Sequence, residues 1–281
     1  MHGAAASPDL QVLRGAEVFA PEPLGPRDLL LAGGKIVAVA ASLPALPPAL
    51  ATEHDVRGLR LVPGLIDAHV HLIGGGGEAG PHTRVPPVTL TQLSRAGITT
   101  VVGVLGTDGT TRSVADLVAR TLGLRLEGLS AYCYTGSYEL PVPTLTGSVR
   151  RDLVFVDPIL GVGELAISDH RSSQPTLDEL LRVAADAHVG GMMSGKAGIV
   201  HLHMGDGVRG FDLIRRKLNT LVEREGVVVI DATGAFDPNL HEAISHEPSD
   251  TVPSGHIIAE VRRGYRLNDR VLRPSYVRVA I

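Results

Sequence analysis

A chain of 281 residues, 44% hydrophobic and 20% charged, has the make-up of a soluble globular protein with room for one large domain or a domain plus a small companion. Its formal net charge of -4 gives no overall attraction to nucleic acid or to an anionic membrane, and the single cysteine, Cys133, excludes an intramolecular disulfide framework. Aromatic residues make up only 3% and tryptophan is absent, so alanine, valine, leucine and isoleucine must fill the core.

The opening "MHGAAASPDLQVLRG" lacks a basic start followed by an apolar run, so no signal peptide is expected and a cytoplasmic location fits best. The most apolar region, Leu29 to Leu50, is broken by Lys35, Pro44, Pro47 and Pro48, too often for a membrane helix. Residues 1–62 alternate short β-type runs with turns: "VLRGAEVFA", "DLLLAGGKIVAVA" and "HDVRGLRLVPG". Gly33-Gly34 ahead of "KIVAVA" predicts a hairpin, and the segment as a whole predicts a small β module.

From residue 63 to 208 the pattern becomes strand then helix. "GLIDAHVHL", "ITTVVGVLG", "LSAYCYTGSY", "ILGVGELAIS" and "GIVHLHMGD" are apolar runs ending in glycine and polar residues. Between several of them lie helical stretches, "VTLTQLSRAG", "TRSVADLVARTLG" and "TLDELLRVAADAH", the last opening with a capping box of Thr176 and Glu179. Polar residues gathered at the ends of parallel strands are how a (β/α) barrel presents its chemistry, but about five units are legible where a closed barrel needs eight.

Residues 209–281 read differently. "GFDLIRRKLNTLVEREG" places Phe211, Ile214, Leu218, Leu221 and Val222 on one helical face. A strand in "VVVIDATG" and short strands around turns in "HIIAEVRRGYRLNDRVLRPSYVRVAI" then predict a compact β module. The predicted fold class is therefore α/β plus β: a small N-terminal β module, an incomplete barrel, then a helix and a small β domain.

"DAHVH" supplies His69 and His71 at i and i+2, which on a strand share one side and can grip one metal ion. With "GGGGEAGP", "TGSY", "SDHRSS" and "HMGDG", the stretch from about residue 10 to 208 resembles the isoaspartyl dipeptidases of the amidohydrolase superfamily. That resemblance implies two zinc ions bridged by a carboxylate and hydrolysis of β-aspartyl isopeptide bonds. By position, His69 and His71 match ligands of the first metal, Glu164 the bridging ligand and His203 a ligand of the second; His201 matches none and is read as structural. Glu78 matches the receiver of the substrate's α-ammonium, with Gly76 in the glycine run where the backbone approaches a ligand. Thr107 and Arg171 match other substrate contacts and Tyr138 the group that polarises the scissile carbonyl, while Asp169 and His170 are expected to support them. The later histidine, aspartate, arginine and serine motifs of that family do not occur, so both metal sites are incomplete and weak or absent turnover is implied.

"FDPNLHEA", "GYRLNDRVLRP" and the closing "VRVA" resemble the C-terminal part of GrpE, the nucleotide exchange factor of DnaK-type chaperones. The match covers about residues 209–280, with Asp237, Pro238, His241, Gly264, Tyr265, Arg273 and Pro274 on its signature, several of them expected to be fold-forming. It implies a DnaK-type ATPase domain as partner, and the long pairing helix of that family has no counterpart ahead of the match. The arginines Arg262, Arg263, Arg266, Arg270, Arg273 and Arg278 carry no stacking pattern beyond Tyr265 and Tyr276, so a protein-facing or solvated surface is expected rather than nucleic acid. Three readings follow: a residual zinc dipeptidase completed by homo-oligomerisation, a GrpE-like co-chaperone as the only retained function, or two truncated segments joined near Gly207 to Gly210 with neither function intact.

Overall fold

The computed structural model describes residues 10–281; residues 1–9, on which the leader expectation falls, lie outside the described residues. Two compact units emerge, one reaching to residue 135 and including 156–160, the other made of 136–155 and 161–281.

In the first unit, β1 (Leu10–Phe19), β2 (Pro23–Ala32), β3 (Lys35–Ala40), β4 (Ala51–Asp55) and β5 (Arg60–Leu61) form one sheet in the order β3-β2-β1-β4, with β5 also on β1. The Gly33-Gly34 hairpin forms as predicted. Ala32 pairs with Lys35, and both glycines take positive φ (54° and 72°), which a two-residue turn matched to strand twist requires. Ala16, Val18 and Leu29 are buried together against Leu13, Val56 and Leu61. A buried carboxylate secures this sheet. Asp28 accepts from Arg14 Nη1 (2.8 Å), Gly15 N (2.9 Å) and Leu43 N (3.0 Å), and Arg14 also pairs with Glu53.

The pattern then becomes parallel. β6 (Leu65–Val70), β7 (Ile98–Gly103) and β8 (Ser130–Thr135) pair in register through Leu65–Ile98 and Thr100–Ser130. α1 (Leu90–Arg95) starts with a capping box of Thr89 and Gln92, and α2 (Val114–Leu126) is capped by Ser113. Leu117 and Leu124 of α2 are fully buried, whereas Leu65 and Ile66 of β6 stay 60% and 71% exposed.

The second unit contains α3 (Val149–Phe155), β9 (Ile159–Ser168, from Gly161 on), α4 (Leu177–Ser194) and β10 (Ile199–Met204). Every residue of β9 from Gly161 to Ser168 is buried, the continuous apolar run expected of a parallel strand covered on both faces. The Thr176–Glu179 capping box forms as predicted, and α4 ends on Gly195 in the left-handed region. β10 pairs parallel to β9. Three parallel strands in the first unit and two in the second make an incomplete barrel, against eight in a closed one.

After β10 comes the join. Ser168 O accepts from Gly205 N and Gly207 N (3.0 Å each), Ser168 Oγ donates to Gly207 O (2.7 Å), and Gly210 N donates to Ser168 Oγ (2.8 Å). α5 (Asp212–Arg224) follows. Its apolar face is not the one that gets buried: Phe211, Ile214, Leu218 and Leu221 are 58%, 36%, 55% and 51% exposed, while Leu213 is buried. Leu213 packs with Leu165, Ile167 and Leu180, so the helix is held by the side chain next to its predicted stripe.

The chain closes with two small sheets. β11 (Val227–Val229), β14 (Tyr265–Leu267) and β15 (Arg270–Arg273) are antiparallel in the order β11-β14-β15; β12 (His241–Glu247) runs parallel to β16 (Ser275–Ala280), with β13 (Ile257–Arg262) antiparallel on its other side. Ile257, Val277 and Val279 form the core of the β12-β16-β13 sheet, with Ala232, Phe236 and Ala243 around them.

Leu213→Ala is expected to lower the unfolding free energy by about 2–4 kcal/mol, measured by denaturant titration; a change below the measurement error would mean that α5 does not share the β9 core. Asp28 has its carboxyl held below the usual range by the Leu43 N–H and then by Arg14. Its contribution is complete above the ordinary carboxylate pKa and is lost as pH falls through the lower folded value. The melting temperature should therefore fall more steeply below about pH 4 in the wild type than in Asp28→Asn; parallel pH slopes would discard that assignment.

Candidate functional site

The first unit supplies His69, within β6, and His71, just past its end. Their ring centroids lie 5.4 Å apart, edge to face, as an i, i+2 pair at a strand end allows. His71 leans on glycine. A Cβ on Gly106 would come within 2.6 Å of its ring, and one on Gly75 within 3.3 Å. Gly76 takes φ 65° and a Cβ there would meet Thr83 O at 2.7 Å. Gly74 to Gly76 and Pro86 to Thr89 line a cavity of about 740 Å³ beside His71. Glu78 is exposed and Thr107 is half-buried. Arg112, a residue the sequence reading missed, is buried and donates to Gly75 O (2.8 Å) and Gly76 O (3.1 Å), so it fixes the glycine run from behind.

In the second unit the end of β9 and the end of β10 bring Tyr138, Glu164, Asp169, Arg171 and His203 together. His203 Nδ1 lies 2.7 Å from Glu164 Oε1 and 2.9 Å from the Tyr138 hydroxyl, and its Nε2 lies 3.1 Å from Asp169 Oδ2. The Tyr138 and His203 rings are 4.5 Å apart, and the Arg171 guanidinium sits 5.2 Å from the Tyr138 ring centroid. Glu164 and Asp169 are almost fully buried. Burial first, and then the nearby Glu164 charge, push the Tyr138 hydroxyl well above its ordinary pKa, so it stays a donor. Arg171 holds the Asp169 carboxyl far below the usual carboxylate range.

Glycine again shapes the place. A Cβ on Gly163 would lie 2.5 Å from His201 O, and one on Gly205 would lie 1.9 Å from Asp169 Oδ2. "GE" on β9 and "HMGDG" after it are therefore packing requirements as well as motifs.

Of ligand-type side chains, the first unit holds the imidazoles of His69 and His71, and the second, taken by itself, holds the Glu164 carboxylate beside the His203 imidazole; zinc, manganese, cobalt and nickel accept donors of both kinds. His170 and Asp206, both exposed, lie with Asp169 in a second group of ligand-type side chains.

In the C-terminal sheets the signature residues are built into the fold. His241 is buried, takes the Asp237 N–H on Nδ1 (3.0 Å) and donates Nε2–H to Asp231 O (2.8 Å). Asp231 is thus part of this module's backbone framework. Asp237 caps a turn through Asn239 N (2.8 Å), with Pro238 inside it. Arg273 donates to Arg263 O (2.8 Å) and lies 5.4 Å from the Tyr265 ring centroid. Gly264 is buried, and a Cβ there would strike Ser275 N at 2.3 Å. Pro274 sits just ahead of β16 and is half-buried.

A family model described as GrpE matches residues 171–281. Protein GrpE of Exiguobacterium sibiricum is 50% identical over 72 residues, 25% of this chain and 38% of that protein. Protein GrpE of Bacillus subtilis is 40% identical over 73 residues, 26% and 39% of the two. The solved β-aspartyl dipeptidase of Fervidobacterium islandicum AW-1, in complex with a β-Asp-Leu dipeptide, is 48% identical with a TM-score of 0.71, over 75% of this chain and 56% of that one. Two likenesses meet in this chain: its N-terminal part is similar in structure to a β-aspartyl dipeptidase, of amidohydrolase architecture, and its C-terminal part is similar to GrpE. The chain spans just over half of the dipeptidase's length and under two fifths of each of these two GrpE proteins. The GrpE model reaches back to residue 171, whereas these two GrpE relatives align over only 72 and 73 residues. Residues 177–204 within that longer extent form α4 and β10. No helix among the described residues is long and apolar enough to cross a membrane.

Gly205→Ala is expected to cost about 1–3 kcal/mol by displacing Asp169. Gly123→Ala, whose Cβ meets only the far end of Arg120 at 4.0 Å, should be neutral or stabilise α2 by up to about 1 kcal/mol. Thermal melts of the two variants check the pair, and equal melting temperatures would contradict the steric reading.

Proposed function

We propose that the GrpE-like segment engages a DnaK-type ATPase domain, and that the dipeptidase-like segment holds metal without efficient turnover. The observation that carries the first part is the packing of the β12-β16-β13 sheet: the segment similar to GrpE buries its own core of Ile257, Val277 and Val279. A binding head needs that and no covalent chemistry. We place the boundaries near residues 62 and 208, with residues 209–281 as the binding part.

For the other segment, the likeness to the dipeptidase supports His69, His71, Glu164 and His203 as ligands, with zinc as the metal. When bound, such a metal supplies Lewis-acid polarisation and an activated water. The chain's own groups have separate tasks. Tyr138, kept protonated by burial, would donate to a substrate carbonyl. Arg171 would hold a substrate carboxylate and Glu78, with Thr107 and the Gly76 backbone, the amino end of a β-aspartyl dipeptide. The late-barrel histidine and aspartate have no counterpart, which should lower the rate by several orders of magnitude. The composition and the mixed charge give nucleic acid no role, and a cytoplasmic setting suits both parts.

Two measurements test this. Titrating the full chain against a DnaK-type ATPase domain should give a saturable association and faster ADP release; no association at about 50 µM would reject the binding role. Metal analysis after dialysis against zinc should find zinc lost in His69→Ala, with β-aspartyl dipeptide hydrolysis at most marginal. A chain that retains no zinc would end the metal reading, and turnover at ordinary enzymatic rates of about 1–1000 per second would end the claim of an impaired site.

A further inference from the structure

Asp169, expected from the dipeptidase likeness only to support its neighbours, has a more specific role in this structure. Its Oδ1 accepts from Arg171 N (2.8 Å) and Arg171 Nε (2.8 Å), and its Oδ2 accepts from Arg171 Nη2 (2.9 Å) and lies 3.1 Å from His203 Nε2. Four donors occupy a carboxylate that offers roughly four lone pairs. It has no capacity left for a ligand of its own, so its grouping with His170 and Asp206 does not make a metal site. Asp169 acts through its neighbours.

The surroundings hold the carboxylate in this position. Asp169 is 1% exposed, its backbone oxygen accepts from Gln174 Nε2 (2.8 Å), and Gly205 leaves room where any Cβ would overlap Oδ2. We infer that Asp169 is a positioning residue that sets His203 and Arg171 together, taking the Nε2–H of His203 so that Nδ1 faces Glu164 and Tyr138, and clamping the Arg171 fork in the same plane. A histidine whose second nitrogen is held by a carboxylate has its tautomer and ring angle fixed before a metal arrives. Because the same two oxygens also set Arg171, metal affinity and recognition of a substrate carboxylate are coupled in this chain. The coupling to metal rests on the reading proposed above; the positioning of the two side chains does not.

The experiment uses the full chain with nitrogen-15 labelled histidine and arginine, and the His203→Gln and Arg171→Lys variants to assign the signals. Nuclear magnetic resonance without metal should show a proton on His203 Nε2 and a slowly exchanging Arg171 Nε–H. Both should be lost together in Asp169→Asn, whose amide keeps the shape but cannot accept from two cations. Zinc titration against a chromophoric chelator should show the dissociation constant raised about 10–100-fold in Asp169→Asn. Persistence of either proton signal in the folded variant overturns the inference, as does a zinc constant within twofold of a wild type that binds zinc. If the wild type takes up no zinc, the metal reading fails and the two proton signals alone decide the positioning role. Should Asp169→Asn fail to fold, Gly205→Ala displaces the carboxylate without removing its charge, and the two signals must then shift together.

Discussion

The corner at the end of β9 is the constraint on which the second unit depends. Two consecutive residues there face opposite tasks. Ser168 binds the backbone of residues 205–210 through both its carbonyl and its hydroxyl, and Asp169 binds the side chains of His203 and Arg171. Both are nearly fully buried, so their own oxygens would otherwise be unpaired polar atoms in the interior. Remove the corner and the β10 end, the join and the side-chain cluster all lose their anchor at once.

That corner also explains how two unlike segments coexist without a linker. A flexible tether would keep their folding separate. Here the chain between β10 and α5 is pinned to β9, and Leu213 of α5 enters the cluster of Leu165, Ile167 and Leu180. A helix with the GrpE pattern thus covers a strand with the dipeptidase pattern. The fit is partial. Phe211, Ile214, Leu218 and Leu221 remain exposed on the stripe that periodicity marks as the core face. A helix face selected for one partner has been offered another, and only the residue beside the stripe finds it.

Much of this was legible in the sequence. The Gly33-Gly34 hairpin, the Thr176–Glu179 capping box, the strand–helix rhythm and the five-of-eight count all rest on local chemistry that neighbours cannot override. The resemblance to the dipeptidases likewise put His203, Glu164, Tyr138 and Arg171 into one reading, and the structure brings those four together. What spacing could not reveal was hierarchy. Asp169 looks like a supporting residue in "SDHRSS", and its central place depends on Gly205, 36 residues later, lacking a side chain. Arg112 carries no motif and acts on the glycine run through its backbone carbonyls. Periodicity places the apolar residues of α5 on one face but does not say how much of it is covered: Ile214, Leu218 and Leu221 line a groove with Leu177, Leu180 and Leu181 yet stay partly exposed.

The same logic separates the fates of the two segments. The C-terminal sheets bind their signature residues internally: His241 between Asp237 and Asp231, Arg273 over Tyr265, Gly264 against Ser275. Conserving such a fold requires only its own residues. The parallel strands are different, because a barrel strand is apolar in anticipation of neighbours on both sides. Leu65 and Ile66 on β6, and Ile199 and Met204 on β10, remain substantially exposed. Each such surface favours association with other chains over a stable monomer. The C-terminal sheets are satisfied by their own residues, whereas the parallel strands leave apolar edge residues uncovered.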